Sequence, residues 1–162
     1  MKKFIGTLML GVLAVSFAGT VQADEKQTYV TYNVENSYTL QIPSTIDLKS
    51  TAPTTIGTTA HNIKPMQVLK IQLSSANSAI DDQGTITLTR QNEKGTAKKL
   101  TTQMFASGDL QNPLKKDAPF FEAKGTNSEG STTGLTFTEI EGEKPAGTYN
   151  ATLTFTASVG DE

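Results

Sequence analysis

Apolar and polar residues alternate along much of this chain with the period of two that a β-strand with one buried face requires. The clearest run spans residues 149–157. Successive side chains of a strand point to opposite sides, so this run predicts one buried and one wet face. The buried face would hold Tyr149, Ala151, Leu153, Phe155 and Ala157, and the wet face Asn150, Thr152, Thr154 and Thr156.

The same alternation predicts further strands elsewhere in the chain, and no window of useful length shows the i, i+3, i+4 spacing of a helix. The fold class that follows is all-β: a two-layer antiparallel β-sandwich of immunoglobulin-like or Greek-key type, with about seven to nine strands. The strands are marked by Val30, Tyr32 and Val34; by Tyr38, Leu40 and Ile42; by Leu69, Ile71 and Leu73; by Ile86 and Leu88; by Leu100, Thr102 and Met104; and by Leu135 and Phe137.

One long stretch, at about residues 107–134, lacks this alternation and is predicted to be an irregular loop. Its most apolar feature is the pair Phe120 and Phe121, which directly follows Pro119. Two interpretations remain open for this pair. It forms a short core strand, or it presents an apolar anchor as a contact for a partner.

The first 23 residues are predicted to be a cleaved signal peptide. Lys2 and Lys3 precede an apolar stretch at 4–17, and Val21-Gln22-Ala23 provides small residues at the cleavage site. The stretch is shorter than the roughly 20 apolar residues of a transmembrane helix, although an N-terminal membrane anchor is the alternative. We therefore expect one exported domain over 24–162, with no membrane span after cleavage.

Composition narrows the chemistry of that domain. Loss of the signal removes Lys2 and Lys3 and no acid, which leaves 12 basic against 16 acidic residues and a formal charge of −4. This charge argues against nucleic acid as a partner. The absence of Cys excludes disulfides, thiolate metal sites and a lipid-anchored Cys. The 26 Thr are what solvent-facing strand positions favour, because Thr is both β-branched and polar.

Two segments at the ends of the domain resemble a known kind of module. Residues 38–48 read YTLQIPSTIDL and residues 145–156 read PAGTYNATLTFT. They resemble the opening and closing strands of β-sandwich modules in secreted and surface (adhesin-type) proteins of Gram-positive bacteria, and the second also resembles the WxL cell-wall-binding domain. The chain departs from that domain because it has no Trp and reads Phe155-Thr156-Ala157 at the comparable position. The resemblance implies a surface-associated sandwich and nothing catalytic.

Candidate catalytic chemistry is sparse. His61 is the only imidazole, and it lies in the polar stretch 58–62, which predicts a solvent-exposed loop position. No Gly-x-Ser-x-Gly motif or second His accompanies it. We therefore expect no enzyme activity, no catalytic residues and no cofactor.

Three alternating carboxylates are the candidate ligands for a metal. Glu139, Glu141 and Glu143 follow a predicted strand and would share one side of an extended segment, as Ca²⁺ coordination by several oxygens would need. The alternative, which we favour, is a solvated edge whose like charges oppose strand-to-strand aggregation. We accordingly expect no metal site.

The function expected from these features is non-enzymatic binding by an exported protein, either secreted or held non-covalently at the cell wall. The expected partners are a cell-wall polymer, a host protein or a surface protein. The alternative is a structural subunit that assembles by β-strand addition, with residues 24–34 as the donated segment. A secreted hydrolase is the third candidate.

Overall fold

A computed structural model describes residues 28–50, 52–76, 78–91 and 97–162. The predicted signal peptide lies outside these residues. The chain divides into two units, Met1–Asn33 and Val34–Glu162. The described part of the first unit, residues 28–33, has no regular secondary structure and is exposed. All of the strands lie in the second unit.

The described residues form ten strands and no helix, which confirms the predicted all-β class. β3, β4, β5 and β8 lie where the alternation of apolar residues places them. The strands are β1 (Ser37–Gln41), β2 (Thr54–Asn62), β3 (Gln67–Leu73), β4 (Thr85–Arg90), β5 (Lys99–Ala106), β6 (Pro119–Ala123), β7 (Thr126–Asn127), β8 (Ser131–Phe137), β9 (Tyr149–Asn150) and β10 (Phe155–Asp161).

The strands form two antiparallel sheets in a sandwich-like arrangement. The larger sheet has the order β1-β2-β8-β5-β4-β9, with β7 also paired to β2, and it curls into a half-barrel. The smaller sheet has the order β10-β3-β6. The two sheets therefore differ in width, with seven strands in the larger and three in the smaller.

The core lies between the sheets and is built from the alternation that the sequence shows. Leu69, Ile71 and Leu73 of β3, the central strand of the smaller sheet, are fully buried. They belong to one cluster with Ile56 of β2 and Met104 of β5 in the larger sheet. Burial of a Leu or Ile side chain contributes about 1.5–3 kcal/mol, so these side chains are a main source of the sandwich's stability.

The alternation near the start of the domain does not produce the predicted buried faces. The strand predicted at 30–34 is absent, and Val30 and Tyr32 are exposed. β1 forms as predicted, but Tyr38 and Leu40 are 39% and 37% exposed. β1 is an edge strand, and all five of its residues are exposed.

The predicted strand at 149–157 is divided in two. Tyr149 of β9 pairs with Arg90 in the larger sheet, whereas Phe155 of β10 pairs with Leu73 in the smaller sheet. Residues 151–154 connect the two strands without regular structure. The predicted buried face is therefore only partly formed: Leu153, Phe155 and Ala157 pack against the core cluster, whereas Ala151 is exposed.

The stretch predicted as an irregular loop at about 107–134 is also partly regular. It contains β6, β7 and the first half of β8. β6 pairs with β3, with Phe121 opposite Ile71. The polar character of the flanking residues hides this strand from a pattern-based prediction.

Candidate functional site

His61 is not the exposed loop residue that the sequence predicts. It lies in β2, is 6% exposed, and its Nδ1 is 2.9 Å from Oγ1 of Thr58, which is also buried. Thr39 of β1 pairs with Ala60 and Leu40 pairs with Thr58, so Thr59 is an extra residue that forms a β-bulge. The bulge reverses the alternation and brings Thr58 and His61 to the same face.

This pair is part of the connection between β2 and the strands β7 and β8, which both pair antiparallel with β2. The backbone N–H of Ser131 donates to Oγ1 of Thr58 at 3.3 Å, and His61 pairs across the ladder with Asn127. Gly130 lies so close to the bulge that a Cβ atom there would overlap the Thr58 carbonyl. The arrangement makes His61 a packed, hydrogen-bonded strand residue.

The three candidate metal ligands do not converge. Glu139 lies 4.0 Å from the Lys144 ammonium, and Glu143 lies 3.3 Å from the Lys98 ammonium. Glu141 uses its backbone to bridge to Thr101. Over the described ranges, no three His, Asp or Glu side chains are grouped as metal ligands.

Phe120 and Phe121 are used mainly in packing. Phe121 is 7% exposed and belongs to the core cluster. Phe120 is half-buried, and its ring meets that of Phe155 edge to face at a centroid distance of 6.1 Å. A partner contact by this pair stays a prediction, and only Phe120 has the exposed surface to make one.

A groove of about 850 Å³ lies beside strands β4 and β5 of the larger sheet. Its walls are residues 43–49, which follow β1, and residues 147–153, which include β9. Ile86, Leu88 and Leu100 form the floor and are at most 8% exposed. Little of the floor surface is therefore accessible, and an incoming ligand would contact mainly the walls.

The walls combine polar and apolar side chains. Hydrogen bonds fix the second wall: Arg90 donates to the Ala146 carbonyl at 2.8 Å, and the Tyr149 hydroxyl donates to the Pro145 carbonyl at 3.1 Å. Ligand pockets typically combine an apolar surface with a few placed polar groups in a volume of about 300–1,000 Å³. The polar wall residues are Ser44, Thr45, Asp47, Lys49, Thr148, Asn150 and Thr152.

Sequence reasoning did not identify this groove as a site. Its walls are nevertheless formed by parts of the two segments, 38–48 and 145–156, that resemble Gram-positive surface modules. These segments are about 100 residues apart in the chain, and a pattern of alternation contains no information that joins them. The resemblance was the one signal that pointed to both.

Comparisons with family models, with curated proteins and with solved structures find no match to this chain. In the part of the chain that the structure describes, no helix has the length and apolarity of a membrane span.

Proposed function

We propose that this chain is an exported, non-enzymatic surface protein that binds a cell-wall polymer in the groove between residues 43–49 and 147–153. The observation that carries the proposal is the meeting of these two segments. Each belongs to a stretch that resembles surface modules, and together they line a groove of about 850 Å³. Export is supported by the signal-like residues 1–23.

The chemistry of the walls suits a glycan-containing polymer. Sugar hydroxyl and acetamido groups both donate and accept hydrogen bonds, as do the side chains of Thr148, Asn150 and Thr152. The side chains of Asn150 and Thr152 are exposed, and the backbones beside them are held by ladder and loop hydrogen bonds. The side chains of Asn150 and Thr152 are therefore accessible to a ligand, and backbone hydrogen bonds hold the segment that carries them.

Two features support a binding role over catalysis. His61, the only imidazole, is buried and hydrogen-bonded to Thr58 rather than open to a substrate. The carboxylates Glu139 and Glu143 lie beside lysines on the exposed surface, where their charge is solvated. Neither arrangement places an acid or a base where it could exchange a proton with a bound substrate, as general acid–base catalysis requires.

A pull-down with purified peptidoglycan tests the proposal. The double variant Asn150→Ala/Thr152→Ala removes two groove side chains, and Thr132→Ala/Thr136→Ala removes two exposed side chains of β8 as the matched control. Each lost hydrogen bond is worth about 1 kcal/mol, so we expect roughly tenfold or greater loss of wall affinity in the groove variant. Equal binding by both variants would refute the groove as the site.

A further inference from the structure

The outer edge of β10 is open in the described part of the chain. β10 is at the end of the smaller sheet, with β3 on its only paired side. The Ser74 N–H donates to the Thr154 carbonyl, and the Glu162 N–H to the Met66 carbonyl, at the two ends of a ladder without a register shift. Hydrogen-bonded pairs alternate along an antiparallel ladder. Phe155, Ala157 and Val159 therefore direct their N–H and C=O groups away from β3.

This edge lacks the features with which sheets usually protect their edges, such as proline, bulges, short length and charge. β10 has seven residues, and its only charged residue is Asp161 at the end. The other sheet edges differ: β1 has five residues and pairs with β2 across a bulge, β6 begins with Pro119 and has a register shift, and β9 has two residues. β10 thus offers the longest regular template among these four edge strands.

Residues 28–34 have the properties of a strand that could pair there. They read TYVTYNV, which is uncharged, free of proline and rich in β-branched and aromatic residues. As a strand they would place Val30, Tyr32 and Val34 on one face. Val30 and Tyr32 are 91% and 92% exposed, so this face is accessible to a second molecule.

The two surfaces match in pattern as well as in length. The core-facing side of β10 holds Phe155, Ala157 and Val159, and its solvent side holds Thr156, Ser158 and Gly160. A strand of residues 28–34 beside it would continue the apolar side with Val30, Tyr32 and Val34. Thr31 and Asn33 would continue the polar side.

We propose that the outer edge of β10 accepts residues 28–34 of a second copy of this chain by β-strand addition. Donor and acceptor are different surfaces, so the contact is head-to-tail and each copy can both give and receive a strand. Repetition generates open chains of subunits. This self-assembly is independent of polymer binding in the groove.

Size-exclusion chromatography with light scattering on the mature chain, 24–162, tests the proposal. The wild type is expected to form multimers that grow with concentration. Ala157→Pro removes an outward N–H that β3 does not use, and proline is tolerated on an edge strand. Val30→Asp/Tyr32→Asp places charges on the donated face. Each variant alone is expected to be monomeric, since one lacks the acceptor and the other lacks the donor.

An equimolar mixture of these two variants is the most specific measurement. One supplies an intact donor and the other an intact acceptor, so the mixture is expected to give heterodimers and nothing larger. The matched control, Thr132→Asp/Thr136→Asp, adds two charges to exposed positions of β8 and is expected to assemble like the wild type.

A peptide of residues 28–34 provides a test that does not depend on the folding of a proline variant. Added in excess to the wild type, it should occupy the β10 edge and reduce the multimers to monomers. The proposal is overturned by a wild type that is monomeric at every concentration, by multimers that persist with the peptide, or by a mixture that forms no heterodimer.

Discussion

Thr58 Oγ1 and His61 Nδ1 lie 2.9 Å apart within β2, although residues three positions apart in a regular strand point to opposite faces. The extra residue Thr59 reverses the alternation, so both side chains are buried on the same side. A buried polar group is stable only when it is hydrogen-bonded. The bulge and the hydrogen bond therefore depend on each other.

Thr58→Val tests this dependence, because it keeps the shape of the side chain and removes the oxygen. We expect a loss of about 1–3 kcal/mol in the free energy of unfolding, since His61 Nδ1 and the Ser131 N–H both lose a partner. Thr59→Val is the control at the neighbouring exposed position, with an expected change within about 0.5 kcal/mol. Urea unfolding measures both, and similar losses would contradict the role assigned to Thr58.

Gly130 is expected to be intolerant of a side chain. Its φ is +71°, and a Cβ would overlap the backbone of Thr58 and Thr59. Gly125 has a similar φ of +64° but nothing within 4 Å of the same position. Gly125→Ala should therefore show only the cost of the positive φ, about 1 kcal/mol, and Gly130→Ala should lose clearly more. Equal unfolding midpoints for the two variants would show that the close approach does not matter.

The two adjacent phenylalanines are expected to differ in their contribution to stability. Phe121→Ala leaves a cavity in the core and should cost about 3–5 kcal/mol. Phe120→Ala removes a half-buried ring and its edge-to-face contact with Phe155, and should cost less. Thermal or urea unfolding of the two variants measures which substitution costs more stability. A larger loss at Phe120 would contradict the packing described for β6.

Low pH is expected to reduce the stability of the fold through Asp117, which lies in the loop that joins β5 to β6. The pKa of Asp117 lies below its ordinary value of 3.8, because the Ser75 backbone N–H donates to its carboxylate. A lowered folded-state pKa contributes stability that is complete above 3.8 and is lost as pH falls through the folded value. Asp117→Asn removes the titrating group, and Asn tolerates the positive φ of this position.

The measurement is the urea midpoint of both proteins across a pH series that extends below 3.8. The midpoint of the wild type should fall more steeply than that of Asp117→Asn at the acidic end. Identical acid profiles would show that the Ser75 hydrogen bond does not stabilise the charged carboxylate.

Alternation predicted the strands whose own residues supply the core. Ile86 and Leu88 in β4, and Leu69, Ile71 and Leu73 in β3, are buried as the pattern requires. In these strands one face lies against the opposite sheet, so the period of two is imposed directly by burial. For β3 and β4, the local sequence was therefore sufficient to predict the strand and its buried face.

Other parts of the fold depend on partners that a local pattern does not contain. β2 is rich in Thr and is interrupted at Thr59, so its burial depends on β1 and β8. Tyr149 and Phe155 share one alternating run but pair in different sheets. The groove is formed by residues 43–49 and 147–153, which are remote in sequence. The alternation of apolar residues did not predict that these two segments lie together.

We propose that this chain is exported and binds the cell wall. Fractionation of the producing cells, followed by mass spectrometry of the protein, separates this proposal from its alternatives. We expect a chain that begins at Asp24, is recovered in the wall fraction and is released by soluble peptidoglycan fragments. A chain that retains its first 23 residues inside the cell, or a mature chain found in the medium alone without affinity for walls, would contradict it.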